Sequence, residues 1–273
     1  MSLNREIPSA LRYLVPGVAG GIVCFAFSRV MVEPLIGAAV DYEGEREHAE
    51  AQLFGSDHHH GHELFSRSVQ ENIGAAVGTI AFAVAMGVLF AVAYSVIRTV
   101  LERRGATADP TGLALLLSGG MFVAITVVPG LKYPPNPPTV GLEETIGARS
   151  SAFLTITVVS VVGACVAVAA GIAWAHRWGR WPAAALAAGG YVAVMLAAFA
   201  LLPSFHEVPG PLSGPDGMVI DGFPAQVLAE FRVYSLLSQA LMWFAIGSTW
   251  AALPALTRRR AGRSPELAVS VRR

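Results

Sequence analysis

Six long apolar stretches constrain this chain more than any other feature: about Tyr13–Val32, Ile73–Ile97, Leu113–Leu131, Ala152–Ala175, Ala183–Leu202 and Val233–Leu253. Each is roughly 19–25 residues, enough at about 1.5 Å of rise per residue to cross a hydrocarbon core of about 30 Å. Backbone inside lipid must satisfy its own polar groups, so such runs fold as helices. The expected fold class is all-α, a polytopic integral membrane protein with six transmembrane helices paired as three outward-opening hairpins. A composition of 54% hydrophobic and 14% charged residues is wrong for a soluble domain and right for this one.

The charges outside the spans are sorted by side. When the loops and tails are numbered alternately, Arg5, Arg12, Arg98, Arg103, Arg104, Arg177, Arg180, Arg258, Arg259, Arg260, Arg263, Arg272 and Arg273 fall on one set. That is 13 of the 19 basic residues, and the positive-inside rule makes this side the cytoplasm, with both termini in it. Lys132 is the only lysine, and the Arg, Ala and Gly content suggests a GC-rich bacterial genome, hence a bacterial plasma (inner) membrane. A cleaved signal peptide is the rival reading of the N-terminus. The apolar run to Val32 is longer than a signal core of about 7–15 residues, so it is expected to stay as a span. Residues 1–256 read as a single transmembrane domain and 257–273 as a basic cytoplasmic tail beside anionic lipid.

The opposite side carries six of the seven histidines and 15 of the 19 acids, a surface suited to divalent metal ions. Its longest loop, residues 33–72, is rich in His and acid. Asp41–Glu50 has five acids in ten residues, followed by Asp57-His-His-His-Gly-His-Glu63. Polar content and Gly55 and Gly61 predict partial disorder here. His58, His59, His60 and His62 are candidate capture ligands, since neutral imidazole binds cobalt, nickel, copper and zinc. On a flexible loop they supply two or three ligands in changing combinations, which suits capture better than tight, selective binding. A solvated loop with chance histidines is the alternative.

A second constellation lies at the span ends. His206 and Glu207 leave span five, Arg29 and Glu33 close span one, Glu230 and Arg232 open span six, and Lys132, Tyr133 and Asn136 follow span three. Charges at this depth are costly unless paired or facing a polar cavity. His206, Glu207, Glu33 and Glu230 are candidate metal or gate residues. Arg29, Lys132, Tyr133, Asn136, Arg149 and Arg232 are candidate structural or gating residues. A salt bridge from Arg29 to Glu33 at i,i+4 is the bland reading of that pair. Four prolines in Leu131–Pro138 force an extended path after span three. Gly17-x-x-x-Gly21 and Gly74-x-x-x-Gly78 suit close helix packing. Cys24 and Cys165 both fall within spans and read as packing residues, not a disulfide.

No phosphate-binding glycine loop, His-Glu-x-x-His or Cys-x-x-Cys is present, and no soluble segment is long enough for a catalytic domain. An enzyme is therefore not expected, and neither a resident cofactor nor a nucleic-acid partner is implied.

With those segments in place the chain resembles the CbtA family of cobalt transporters. The resemblance rests on Arg29-Val-Met-Val-Glu-Pro34, on Pro129-Gly-Leu-Lys-Tyr-Pro-Pro-Asn-Pro-Pro138 with Glu144-Thr-Ile-Gly-Ala-Arg149, and on Leu202-Pro…His206-Glu-Val-Pro209 leading to Phe223-Pro…Glu230-Phe-Arg232. It implies import of cobalt and a small single-span, histidine-bearing companion subunit (CbtB-like). The residues alone support only a borderline divalent ion, with Ni2+ or Zn2+ as alternatives to Co2+. Family descriptions usually give five spans, whereas the arginine pattern here fits six. The expected function is uptake of cobalt or a similar divalent metal across the plasma membrane, with outward-facing His and carboxylates capturing it. The alternative is a non-transporting, metal-binding membrane subunit or sensor that partners a separate permease.

Overall fold

The computed structural model describes the backbone of residues 3–55, 73–215 and 217–270, and the side chains of 13–55, 73–215 and 217–253. The elements are α1 (Leu3–Met31), α2 (Glu33–Phe54), α3 (Ala75–Arg103), α4 (Pro110–Phe122), a π-helical turn (Val123–Val127) and α5 (Val128–Lys132). A 3-10 turn (Glu143–Thr145), α6 (Ile146–Trp178), α7 (Arg180–Leu201), β1 (Leu212–Gly214), β2 (Gly217–Ile220) and α8 (Ala225–Ser270) follow. The capture histidines His58, His59, His60 and His62 lie outside the described residues.

Among the described residues six helices are long and apolar enough to cross a membrane: Tyr13–Met31, Ala75–Arg103, Pro110–Lys132, Glu143–Trp178, Arg180–Leu201 and Ala225–Leu253. Only 11–28% of their most apolar windows is buried by protein, leaving residues such as Leu116, Val92 and Leu196 facing outward. Helices that are apolar on every side belong in lipid. The chain is a multi-pass membrane protein. Neither Cys24, which is buried, nor Cys165, on the helix surface, is in a disulfide.

The first loop departs from expectation. Residues 33–54, read as a mobile acidic loop, form α2. Pro34 sits in the first turn, where its missing N–H is no loss, and Gly55 closes the helix with φ 65 and its N–H on the Ala51 carbonyl. Glu, Arg, Ala and Gln between them are strong helix formers, and Arg46 pairs with Glu50 one turn on at 2.9 Å. The buried stripe is small (Ala39, Tyr42, Ala49), so the charges conceal the 3.6-residue period. A second departure, from the all-α expectation, is the short antiparallel pair β1–β2 between α7 and α8.

The residues gather into two units. One comprises Met1–Phe25, Gly74–Met121 and Ala240–Arg273. Here Gly17 and Gly21 bring α1 against α3: a Cβ on Gly17 would overlap the Val84 backbone, and one on Gly87 would overlap Gly17. Gly20 does the same against Met242 and Ile246 of α8. Gly78 faces open space, so the second small-residue pair is not used this way. Phe90, Met242, Trp243 and Ile246 are fully buried, and Trp250 meets Tyr13, Phe90 and Tyr94 in tilted or edge-on contacts at centroid distances of 5.3–5.8 Å.

The other unit comprises Ala26–Ile73 and Phe122–Gln239. In it α6 and α7 pack along one another through a link at Gly179, whose φ is 85. Ala39 and Tyr42 of α2 form a small core with Val140 and Phe223. The Tyr42 hydroxyl donates to the Asp221 carbonyl at 3.1 Å and Arg46 donates to the Gly210 carbonyl at 2.8 Å, seating α2 beside the strand pair. The proline-rich stretch after α5 is irregular, as its composition dictates.

Candidate functional site

The second unit brings together the C-terminal ends of the third and fifth spans and the N-terminal ends of the fourth and sixth. Proline at 203 stops α7, and the chain leaves as Pro203-Ser-Phe-His-Glu207 without regular structure. Two neighbours from the end of α5 hold it. Lys132 Nζ donates to Ser204 Oγ at 2.8 Å, and the Tyr133 hydroxyl donates to the Pro203 carbonyl at 2.6 Å. Tyr133 also lies against Phe205, with centroids 5.9 Å apart. Burial pushes the Tyr133 phenol above its usual value, so it keeps the proton that this bond needs.

Glu207 is held more firmly. Its Oε2 accepts from the Leu142 N–H at 2.9 Å and from Thr145 Oγ1 at 2.7 Å, and lies 3.3 Å from Arg149 Nε. The Leu142 amide and then the Thr145 hydroxyl hold the carboxyl below its ordinary value, partial desolvation opposes them, and the Arg149 charge adds to the lowering. Arg149 in turn bonds Thr145 Oγ1 at 3.1 Å and the Leu142 carbonyl at 3.0 Å. Its guanidinium lies over Gly141, whose φ is 130 and where a Cβ would overlap it. The result is a clasp between the exit of α7 and the start of α6, built on a position that only glycine fits.

Arg232 donates to Asn136 Oδ1 at 2.8 Å, which ties the first turns of α8 to the proline-rich stretch, while its buried Nε has no partner among the described residues. Thr139, three residues beyond Asn136, has φ 75, an outlier for a β-branched residue. Its hydroxyl donates to the Ala39 carbonyl of α2 at 3.1 Å.

The structure thus links Lys132, Tyr133, Asn136, Arg149, Glu207 and Arg232 in adjoining bonds within one unit. His206 stands exposed beside Glu207. Glu230 accepts from Gln226 at 2.8 Å, one turn back on its own helix. Arg29 is in the last turn of α1 and Glu33 opens α2. Among the described residues no three His, Cys, Asp or Glu side chains are grouped to hold a metal ion. Sequence reasoning missed Thr145, Ser204, Gly141 and Thr139; the i,i+4 spacing of Thr145 and Arg149 was the available signal for the first.

A family model described as probable cobalt transporter subunit (CbtA) matches residues 10–255, nearly the whole chain. The chain belongs to the CbtA family. No match is found among curated proteins or among solved structures. In this CbtA-family chain two of the three motif groups that carry the resemblance are bonded to one another: Lys132-Tyr-Pro-Pro-Asn136 to the exit of α7 and to Arg232, and Glu144–Arg149 to Glu207. Membership makes the chain part of a cobalt-transport system and argues against an enzymatic role.

Proposed function

We propose that this chain imports cobalt, or a similar divalent transition ion, across the plasma membrane of a bacterium. The family match over residues 10–255 carries the reading. The arginine distribution supports cytoplasmic termini, three hairpins opening outward, one membrane domain over residues 1–256 and a basic tail beyond it. On that orientation the bonded cluster faces outside. His58, His59, His60 and His62 raise the local metal concentration, and His206, Glu207, Glu33 and Glu230 form the entrance. Glu207 already serves two donors and an arginine, so its role is that of a gate: an ion that takes the carboxylate must first displace Arg149. Lys132, Tyr133, Asn136, Arg149 and Arg232 hold the entrance in shape. A 2+ ion entering at −100 mV gains about 4.6 kcal/mol, twice the single-charge value, or roughly 2,000-fold accumulation without ATP.

The test is accumulation of labelled cobalt at nanomolar concentration in cells lacking other importers, with and without the chain. Chain-dependent uptake that resists excess nickel and zinc is expected. Changing the four loop histidines to alanine should slow uptake only at scarce metal, whereas His206→Ala with Glu207→Ala should abolish it at any concentration. Full transport by the double variant sinks the entrance.

A second reading is a metal-binding subunit that acts with a separate permease or with a small histidine-bearing companion. The family's description as a subunit favours it. Purified chain in liposomes decides: cobalt binding without flux supports this reading over the first.

A further inference from the structure

The middle of the membrane holds a polar node that the entrance does not use. In the π-helical turn the N–H of Val128 bonds the carbonyl of Val123, five residues back. In the same register the carbonyl of Ala124 would be served by residue 129, which is proline and has no N–H. Ser160 of α6, fully buried, fills the gap: its hydroxyl donates to the Ala124 carbonyl at 2.6 Å. A serine hydroxyl has one hydrogen. Ser160 has given its own, so in its 2.7 Å contact with the Tyr191 hydroxyl the tyrosine is the donor. Gly163, one turn along α6, leaves room for the Tyr191 ring.

This proton accounting has a chemical consequence. Both hydroxyl hydrogens are spent inside the node, so what remains on the carbonyl and the two hydroxyl oxygens is lone pairs. Ser160 and Tyr191 stand at the midpoints of their spans, Glu143–Trp178 and Arg180–Leu201, where polar oxygens are costly unless partnered and the remaining lone pairs have no water to serve them. Acceptor-rich oxygens at mid-membrane are complementary to a cation and not to an anion. Backbone carbonyls released by a helix irregularity are known to supply such ligands in transporters.

We infer that Ala124 O, Ser160 Oγ and Tyr191 Oη form a transit station for the divalent cation midway through the spans. The ion displaces the internal hydrogen bonds and takes the oxygens. No carboxylate is among the three, so the station holds the ion weakly and lets it leave, as conduction requires. The inference rests on the transport reading for its role, but not for its chemistry.

The experiment therefore has two readouts: uptake of labelled cobalt by cells, and the absorption spectrum of purified protein titrated with Co2+. Ser160→Ala and Tyr191→Phe, present in the membrane at the level of the unaltered chain, should each raise the cobalt concentration for half-maximal uptake by about tenfold, the cost of one lost interaction of ordinary strength. Ser160→Cys keeps a donor for the Ala124 carbonyl but replaces oxygen by sulfur. It should shift competition toward soft Cd2+, and Co2+ should raise a thiolate-to-cobalt charge-transfer band in the near ultraviolet that the unaltered chain, with Cys24 and Cys165, lacks. If the unaltered chain imports cobalt while Ser160→Cys shows neither the band nor a changed competitor order, the station is overturned and the transport reading survives. The station is likewise overturned if Ser160→Ala merely lowers the amount of protein, since the node would then only support the π-helical turn. If the unaltered chain imports no cobalt but the band forms, the transport reading falls and the ion site stands.

Discussion

Each of the two units of the molecule is held together internally by different means. The unit containing Gly17, Gly21 and Gly87 is held by shape: backbones meet where side chains have been removed, and buried aromatics fill the rest. The unit containing Arg149, Glu207 and Thr139 is held largely by polar bonds between segments distant in sequence, and it carries a π-helical turn, a left-handed threonine and a short strand pair. Lipid tails are as apolar as leucine, so close packing of small residues is the cheapest way to join helices that need not move. Polar bonds have discrete partners that an ion can compete for. On the proposed transport role, the second unit holds the bonds that cargo would compete for, and either side of the comparison can be broken by substitution.

The largest effect should come from filling the packed unit. Gly87→Leu drives a side chain into the Gly17 backbone and should cost about 3 kcal/mol or more. Thermal melting of the purified protein measures it. Gly78→Leu faces open space on the same helix and should stay within about 0.5 kcal/mol of the unaltered chain. Equal losses for the two would remove the distinction between packed and lipid-facing glycine.

Next comes the clasp. Gly141→Ala adds a Cβ at φ 130 and pushes the Arg149 guanidinium off Leu142 and Glu207. Strain and displacement together should cost about 1–3 kcal/mol. Arg149→Ala in the same chain removes the collision, so the two changes should be less than additive by more than about 0.5 kcal/mol. Strict additivity in the melting data would mean that Arg149 does not rest on Gly141.

A smaller effect concerns acid. The Glu207 carboxyl is held below its ordinary value by the Leu142 amide, the Thr145 hydroxyl and Arg149. A lowered folded-state value means that the stabilisation is complete above the ordinary glutamate value and is lost as pH falls through the lowered one. Glu207→Gln cannot ionise. Its stability should fall less steeply over that acid window while lying below the unaltered chain at neutral pH. Parallel profiles would show that Glu207 is not engaged as described.

The spans were legible because a lipid-facing helix is apolar all round, a signal that survives without knowledge of any contact. The polar residues at the span ends were legible as a group for the complementary reason, since Lys132, Arg149, Glu207 and Arg232 stand where charge is costly. Their pairing was not. Glu207 meets Thr145 across 62 positions and Arg232 meets Asn136 across 96, and no spacing rule reaches so far. The helix at 33–54 was hidden because its buried residues are mostly alanine and its charges are dense. Ser160 gave no sign at all: a serine in an Ala/Val/Gly run looks like tolerated polarity until Pro129 is seen to lack the N–H that Ala124 needs.

The smallest effect tests whether the irregular backbone of the second unit is truly strained. Thr139 has φ 75 and one side-chain bond, to the Ala39 carbonyl. A left-handed conformation costs a non-glycine residue about 1–2 kcal/mol, and a hydrogen bond of this kind returns about 0.5–1.5 kcal/mol. Thr139→Ala loses the bond and keeps the strain, so it should destabilise by about 1 kcal/mol. Thr139→Gly loses the same bond but sheds the strain, at about 0.5–1 kcal/mol of added unfolded-chain entropy, and should lie near the unaltered chain. Glycine should therefore exceed alanine by roughly 0.5–1 kcal/mol, the reverse of their order within a helix. If alanine proves equal or better, Thr139 holds no strain, and the second unit is distinguished by its polar bonds alone.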